Sequence, residues 1–530
     1  MKNKLTILVF SLISLYSFAQ TWGLDQDFNT SGFNATNLIV NGDDNAECLA
    51  IQNDGKILIA GSGLRLVRYN TNGSLDTSFN SVGYSAPFGN NTSLNFINQI
   101  IVKPDNKIVV IGNLYTNKYF LYLAQYNSNG SLDVSFGSGG RRIIDLGTGI
   151  FGYSVENALF TSQGELLISG NSFNAQDGDF SIIRCTSSGD LDTTFGTNGI
   201  ITIDGMGNDL NGKIAVRTDG KILLSGNSNI NPAIGTQRQH AIFLFNSNGS
   251  LDTTFGTNGK IFTNLNANNS QIISSLNLVE NDKIIIAGQL YNSLTNQLDF
   301  FIAKYNSAGI LDTSFGIDGK SSLNFDEFFQ SQKSDDFIES LSIQVDGKIV
   351  VAGYSRENLL GSNNQFALAR LNPEGTVDST FGQNGKIVMP ISGFSDVIYD
   401  VKTQNDGKII VAGMSKINAT DRSYIVARYT PDSTLSTIQN YYTVTKDLEI
   451  FPNPVRDKLN IVSTKLHFLN ENTTFSIYAL DGRMMKEITF NKLQLSNNEI
   501  AIDINDLPSG FYFISLSDGT TQLNKKFIKE

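Results

Sequence analysis

Seven aspartates recur in one setting along the chain, and a ring of carboxylates is the first arrangement in it capable of chemistry. The setting is Leu-Asp-x-x-Phe, or Val-Asp-x-x-Phe in the last copy. It places Asp25, Asp76, Asp133, Asp192, Asp252, Asp312 and Asp378 three residues before Phe28, Phe79, Phe136, Phe195, Phe255, Phe315 and Phe381. Repeated carboxylates can hold a hard cation or move protons. A calcium loop, however, needs oxygen ligands at alternating positions, a glycine at the sixth and a closing glutamate. Asp25-Gln26-Asp27-Phe28-Asn29 starts that way, but Thr30 stands at the glycine position and no glutamate follows in register. A motif present in every repeat also serves a need common to every repeat, whereas a catalytic centre needs one unequal constellation. The aspartates are therefore expected to bond nearby backbone N–H groups and fix turns, with Leu and Phe filling the space between repeats.

Other reactive side chains are sparse. His240 and His467 are the two histidines and lie far apart, which excludes a histidine triad or a multi-histidine metal site. His240 is expected just before a strand, exposed or satisfied. No phosphate-binding glycine loop occurs. Carboxylates crowd in two irregular stretches, Asp177 with Asp179, and Asp326, Glu327, Asp335, Asp336 and Glu339. Charged loops of this kind are usually solvated surface. Cys48 and Cys185 fall at different repeat positions and read as small buried hydrophobes rather than a disulfide. The net charge is −11, with no basic stripe, which argues against nucleic acid as a partner. Trp22 is the single tryptophan, a poor start for a sugar-stacking surface. No cofactor, metal or catalytic residue is assigned.

The elements that carry these residues follow from the repeat itself. The Leu-Asp motif recurs at steps of 51, 57, 59, 60, 60 and 66 residues. A second motif keeps pace: Asp54-Gly55-Lys56, then 105–107, 163–165, 219–221, 281–283, 346–348 and 406–408, each leading into a short apolar run that ends in glycine. A third apolar run, such as 119–126 or 300–305, precedes each later Leu-Asp motif. Each repeat thus reads as four short strands, with Asp-Gly as a two-residue type I′ hairpin. One four-stranded sheet cannot bury both its faces. Seven stacked radially can. The expectation is an all-β chain: a seven-bladed β-propeller, then a small antiparallel β-sandwich of immunoglobulin-like type. The first segment (24–40) carries a Leu-Asp motif and a fourth-type strand, while the repeat region ends on a third-type strand (424–429). Either the N-terminal segment completes the last blade, or each blade begins at its Leu-Asp motif.

The flanks read separately. Residues 1–19 form a signal peptide, with Lys2 and Lys4 before an apolar run too short to span a membrane. Residues 20–430 are assigned to the propeller and 431–447 to a linker. Residues 448–530 form a terminal unit of about six short strands. No transmembrane segment is expected in the mature chain.

The repeats resemble the delta-60 repeat family. Tyr126-Asn127-Ser128-Asn129-Gly130-Ser131-Leu132-Asp133 and Val345-Asp346-Gly347-Lys348-Ile349 carry the likeness across residues 24–430. The resemblance implies a β-propeller-like array in exported bacterial proteins and brings no catalytic residues. Asn80 departs from the glycine that usually follows Phe, and Gln163-Gly164-Glu165 weakens one turn. The tail resembles the type A sorting domain of the type IX secretion system through Pro452-Asn453-Pro454, Asp481-Gly482, Leu507-Pro508-Ser509-Gly510-Phe511-Tyr512 and the basic end Lys525-Lys526. That implies a Bacteroidetes-type bacterium, handling by the type IX machinery, and a secreted or surface-attached product. The function expected is a binding or structural scaffold for an extracellular protein or glycan. The alternative is a carbohydrate-active enzyme, a hydrolase or lyase, using acidic loop residues on one propeller face.

Overall fold

The computed structural model describes residues 22–38, 44–85, 95–146, 152–173, 178–205, 207–229, 238–263, 265, 271–292, 294–329, 331–357, 363–392, 394–416, 418, 421–431, 449–462, 474–479, 484–489, 495–496, 499–517 and 522–530. The proposed signal peptide, most of the proposed linker, His467, Asp177, Asp481 and Gly482 lie outside them. The chain divides into two compact units, Met1–Thr434 and Leu435–Glu530. Among the described residues, single 3-10 turns are the only helical pieces, and no helix is long and apolar enough to cross a membrane.

Seven antiparallel sheets make up the first unit. Blade 1 runs Ala46–Ile51, Ile57–Gly61, Leu66–Tyr69 and Tyr84–Ser85, each strand pairing with the next. Blades 2 to 6 repeat this order. Second strands are buried over most of their length, and Ile57–Gly61 over all of it, because a neighbouring blade covers each face. Their Ile, Val and Leu content follows from that two-sided burial.

Blade 7 decides between the two readings of the ends. Its first three strands are Asp396–Thr403, Ile409–Lys416 and Arg422–Pro431. The strand that pairs beyond them is Phe33–Thr36, from the N-terminus, in register Phe33↔Ala427 to Thr36↔Tyr424. Trp22–Leu24 pairs with the same strand further along. The N-terminal segment therefore completes the last blade. Seven inter-blade cores result, one per junction. Ile57 and Ile59 of blade 1 share a core with Ile410 and Ala412 of blade 7, so the ring is closed. An open array of seven sheets would have one junction fewer.

One feature of the repeat motif differs from expectation, and a second adds to it. In the Asp-Gly-Lys turn, Gln52 N–H donates to Lys56 O at 2.8 Å and Gly55 N–H to Gln52 O at 2.9 Å. Of Asp54 and Gly55, only the glycine has positive φ (81°). This is a type I turn closed by a left-handed glycine, not a type I′ pair. The cause is local: Asp54 Oδ1 accepts from Lys56 N–H at 3.1 Å and so holds the aspartate in ordinary backbone. The second feature is a register shift in each first strand, between Ala46 and Cys48, Ile97 and Gln99, Val155 and Asn157, Leu210 and Lys213, Ile273 and Ser275, Ile338 and Ser340, and Ile398 and Asp400. Each bulge faces the glycine that ends the second-strand run. A Cβ on Gly61, Gly112, Gly288, Gly353 or Gly413 would stand 1.9 Å from a carbonyl oxygen of the bulged strand. The glycine is there because that carbonyl leaves no room for a side chain.

The second unit pairs two four-stranded sheets over a core that includes Leu459, Ile461, Phe475, Ile477, Ile500, Ile514 and Phe527. It is a small antiparallel sandwich.

Candidate functional site

The motif aspartates lie toward the outer part of each blade, where each is tied to its own sheet. Asp76 bonds Arg68 Nε at 2.8 Å and Lys56 Nζ at 2.9 Å, and accepts from Ser78 N–H at 3.1 Å. Asp133 bonds Lys107 and Gln125, Asp252 bonds Lys221, Asp312 bonds Lys283, and Asp378 bonds Lys348 and Arg370. Asp192 keeps Arg184 at 2.8 Å, with Glu165 standing where other blades have lysine. Burial works to raise the Asp76 carboxyl, but Ser78, Lys56 and Arg68 outweigh it and hold the group well below the usual carboxylate range. The Leu-Asp and Asp-Gly-Lys motifs are thus two halves of one ion-paired unit. The spacing alone did not reveal this pairing. The co-occurrence of Lys and Asp in nearly every repeat was the available signal.

Asp25 repeats the arrangement across the ends of the ring. Its carboxylate bonds Arg428 Nε at 2.7 Å and Lys408 Nζ at 3.0 Å, both from blade 7. The motif phenylalanines reach the neighbouring blade. A Cβ on Gly130 would meet Phe79 at 2.8 Å, and one on Gly375 would meet Phe315 at 2.8 Å. Arginines cover several of these rings: Arg68 sits 4.5 Å above Phe79, and Arg184 4.5 Å above Phe195. The same Arg184 donates to Ser247 O of the next blade at 2.7 Å. At the final junction Trp22 packs 5.3 Å from Phe381, with Arg370 4.4 Å above the Trp22 ring. The single tryptophan is part of the closure.

The unequal constellation lies at the centre. The first strands surround a cavity of about 150 Å³ whose lining includes the bulge residues of several blades. These are Glu47, Asn98, Glu156, Ser274, Glu339 and Tyr399, three glutamates interleaved with three other residue types. Lys213 Nζ lies 3.4 Å from Glu156, and Lys402 Nζ lies 2.7 Å from Asp400. Burial pushes Glu47 up to about 7 against the pull of Arg422. Burial likewise pushes Glu339 up to about 7 against Lys213, with Glu47 and Glu156 adding to the rise. Carboxylates in this state exchange protons near neutral pH. Of the channel acids, only Glu339 stands out in the sequence, as one of the charges of an irregular stretch. The glycine inside each apolar run was the signal for the bulge.

The acidic stretch from 326 to 339 disperses. Asp326 accepts from Gln297 Nε2 and Ser334 N–H, each at 2.8 Å, Glu327 pairs with Lys386 at 2.6 Å, and Asp335 accepts from Leu298 N–H at 3.1 Å. Asp336 is buried and accepts from Phe325 N–H at 3.1 Å. Glu339 alone of this group lines the channel. His240 lies within a strand, Arg238–Phe245, rather than before one. It is wholly buried, within 2.8 Å of Ser225 Oγ and 3.3 Å of Tyr305 OH, and burial lowers it to about 3. Cys48 and Cys185 are both buried and free.

In the second unit the sorting motif residues gather around the last strand, Gln522–Lys529. Asn453 Oδ1 accepts from Ile528 N–H at 2.8 Å, placing Pro452 and Pro454 beside that strand. Leu507 enters the core, Gly510 opens the partner strand, and Tyr512 stacks on Phe527 at 5.6 Å while donating to Pro508 O at 2.7 Å. Lys525 and Lys526 lie on the last strand itself.

Comparison with known proteins agrees with this division. Residues 52–79, 103–136, 162–195, 217–255, 280–315, 344–381 and 404–435 match the Domain of unknown function (DUF5122) beta-propeller. Residues 449–530 match the Secretion system C-terminal sorting domain. The first unit is therefore a seven-bladed propeller of the DUF5122 repeat class. The chain as a whole is an exported propeller protein whose terminal domain directs it through the type IX secretion system to the cell surface or the extracellular space.

No curated protein matches the chain. Among solved structures it is similar to PorZ, a bacterial surface component of the type IX secretion system of Porphyromonas gingivalis, at 11% identity and TM-score 0.36. That match covers 92% of this chain and 60% of PorZ, so the chain spans less than two thirds of that protein's length. A protein of unknown function from Dyadobacter fermentans aligns at 11% identity and TM-score 0.41, covering 76% of this chain and all of that one (100%). The α-L-arabinofuranosidase Arb93A of Fusarium graminearum aligns at 10% identity and TM-score 0.36, covering 62% of this chain and 91% of that one. These likenesses are too distant to bear on function.

Proposed function

We propose that the exported propeller is a non-catalytic scaffold that binds an extracellular protein or glycan, using its face loops and the mouth of the central channel. One observation carries this reading: the acids that recur with the repeat are all occupied in ion pairs within their own sheet. They hold the blades, and what varies from blade to blade is the channel and the loops. Residues 1–19 serve as the signal peptide in this reading, and the residues around the last strand of the tail are the surface offered to the secretion machinery.

The second reading, a carbohydrate-active enzyme, rests on Glu47 and Glu339, whose carboxyls sit near 7 in a channel, as a general acid requires. The two separate in one experiment. The full-length chain is screened on glycan and protein arrays and assayed beside them for polysaccharide cleavage. Retained binding with no cleavage supports the scaffold. Cleavage that Glu47→Gln or Glu339→Gln abolishes establishes the enzyme.

A further inference from the structure

The acids that line the central channel fall into two kinds. Asp400 and Glu156 are fully engaged. Asp400 accepts from Leu49 N–H at 3.0 Å and Ser340 Oγ at 2.8 Å, with Lys402 Nζ at 2.7 Å. Glu156 accepts from Ser154 Oγ at 3.0 Å on one oxygen, and Lys213 Nζ lies 3.4 Å from the other. Glu47 and Glu339 accept no hydrogen bond among the described residues. Charge reaches them only from farther off: Arg422 acts on Glu47, and Lys213 acts on Glu339 against the repulsion of Glu47 and Glu156.

Two neutral groups in the same cavity are also unmet. The Tyr399 hydroxyl makes no hydrogen bond among the described residues, and burial keeps it protonated. The Asn98 Oδ1 atom is closed off from solvent and has no donor. Among the described residues it is the only such atom on a residue that lines the cavity. A buried acceptor without a donor marks a place where a donor belongs. Glu339, Tyr399, Glu47 and Asn98 come from blades 6, 7, 1 and 2, which are consecutive around the closed ring. The unmet groups therefore form one arc, of two carboxyls, a phenol and an amide oxygen.

We infer that this arc binds a primary ammonium group, carried by a lysine side chain of a protein partner or by a free alkylamine. An ammonium brings three donors, no acceptor and one positive charge, which is what the arc lacks. A sugar hydroxyl brings an acceptor with each donor and leaves both carboxyls without a countercharge. A metal ion needs its oxygens gathered tightly, and among the described residues no three channel acids place a ligand atom each within 4.8 Å of one another. The cavity, of about 150 Å³, has room for an alkyl stem. Burial leaves both free acids near 7, so the arriving charge drives off the protons they hold. This rests on the scaffold reading for its partner, and names the chemistry taken at the channel.

The test is titration calorimetry of the full-length chain with 1,5-diaminopentane and with a Gly-Lys-Gly peptide blocked at both ends. One amine per chain should bind at pH 8 with a dissociation constant of about 1 mM or below, and the tighter of the two probes names the source. Affinity should rise about tenfold from pH 6 to pH 8 as the carboxyls ionise, the amine staying charged throughout. Glu47→Gln and Glu339→Gln should each weaken binding about tenfold or more. Asn98→Asp, which adds a charge to the arc, should tighten it. Asp190→Asn, at an exposed acid of the outer side, should leave it unchanged. The Gln variants keep the side-chain shape, and melts without amine verify that they fold. No binding heat with either probe at about 10 mM overturns the site, and retained array binding then leaves the scaffold reading standing. Unaltered affinity in both Gln variants overturns it as well, and so does glycerol or calcium binding as tightly as the amine. Amine binding beside polysaccharide cleavage keeps the site and overturns the scaffold reading.

Discussion

The outer and inner parts of the propeller are built from the same repeats and obey different rules. On the outer side the residues are nearly constant: an aspartate bound to a basic partner, and a phenylalanine against the next blade. Along the channel they change from blade to blade at the bulge position, from Glu47 through Asn98, Glu156, Ser274 and Glu339 to Tyr399. The constant positions do the mechanical work of stacking. Free of that work, the bulge residues can differ, because a bulge turns a side chain out of the ladder into open space. In a repeat protein, sameness marks structure, and function is to be sought where the copies disagree.

The contrast is open to direct tests. The largest effect should come from removing residues 22–36, which takes away the strands that complete blade 7 together with Phe28 and Asp25. A loss of about 5 kcal/mol or more is expected, within the whole margin of an ordinary domain, and thermal melts with size-exclusion chromatography should show loss of a cooperative transition. An unchanged melt would mean that the ring does not depend on its clasp.

A smaller effect compares two ion pairs by denaturant unfolding. Arg428→Met takes one of two cations from the buried Asp25, leaving Lys408, and should cost about 2 kcal/mol, whereas Arg142→Met breaks an exposed pair with Asp190 and should cost about 0–1 kcal/mol. Next come two glycines. Gly353→Ala forces a Cβ against the Phe337 carbonyl and should cost about 2–3 kcal/mol. Gly407→Ala meets nothing within 4 Å and carries only its positive-φ cost of about 1 kcal/mol. Equal costs would remove the bulge from the explanation.

The smallest effect is in the pH dependence. The motif aspartates have lowered carboxyls, so their contribution is present above the ordinary carboxylate range and is lost as pH falls through their folded values, near 2 for Asp378. Glu47 and Glu339 have the opposite sign. Raised to about 7, they bind more protons folded than unfolded, so stability should fall as pH climbs from about 4 to 7. Glu47→Gln and Glu339→Gln should flatten that slope and raise stability at pH 8 by about 1 kcal/mol each, measured as melting temperature against pH.

Much of the fold is legible in the residues because stacking is a short-range demand. Ile-Val-Leu runs, turn glycines and the fixed spacing of Phe after Asp are all local consequences of it. The site is less legible, for a physical reason in each case. Glu47 and Glu339 are separated by most of the chain and meet across a channel whose geometry depends on ring closure. Asp25 looked like part of a failed calcium loop because its partners, Lys408 and Arg428, come from the far end of the sequence. The type of the Asp-Gly turn was misjudged because the Asp54 side chain, not the pair of residue types, settles its backbone.

The pairing of Trp22–Leu24 and Phe33–Thr36 with the last propeller strand has a temporal side. Residues near the start of the chain must wait for a partner about as far away as the propeller allows, and until it arrives blade 7 has an open edge that can recruit other molecules. Whatever escorts the newly made polypeptide therefore has two ends to keep apart from strangers. A nascent chain cut short anywhere before Arg422 would have no means of finishing its circle.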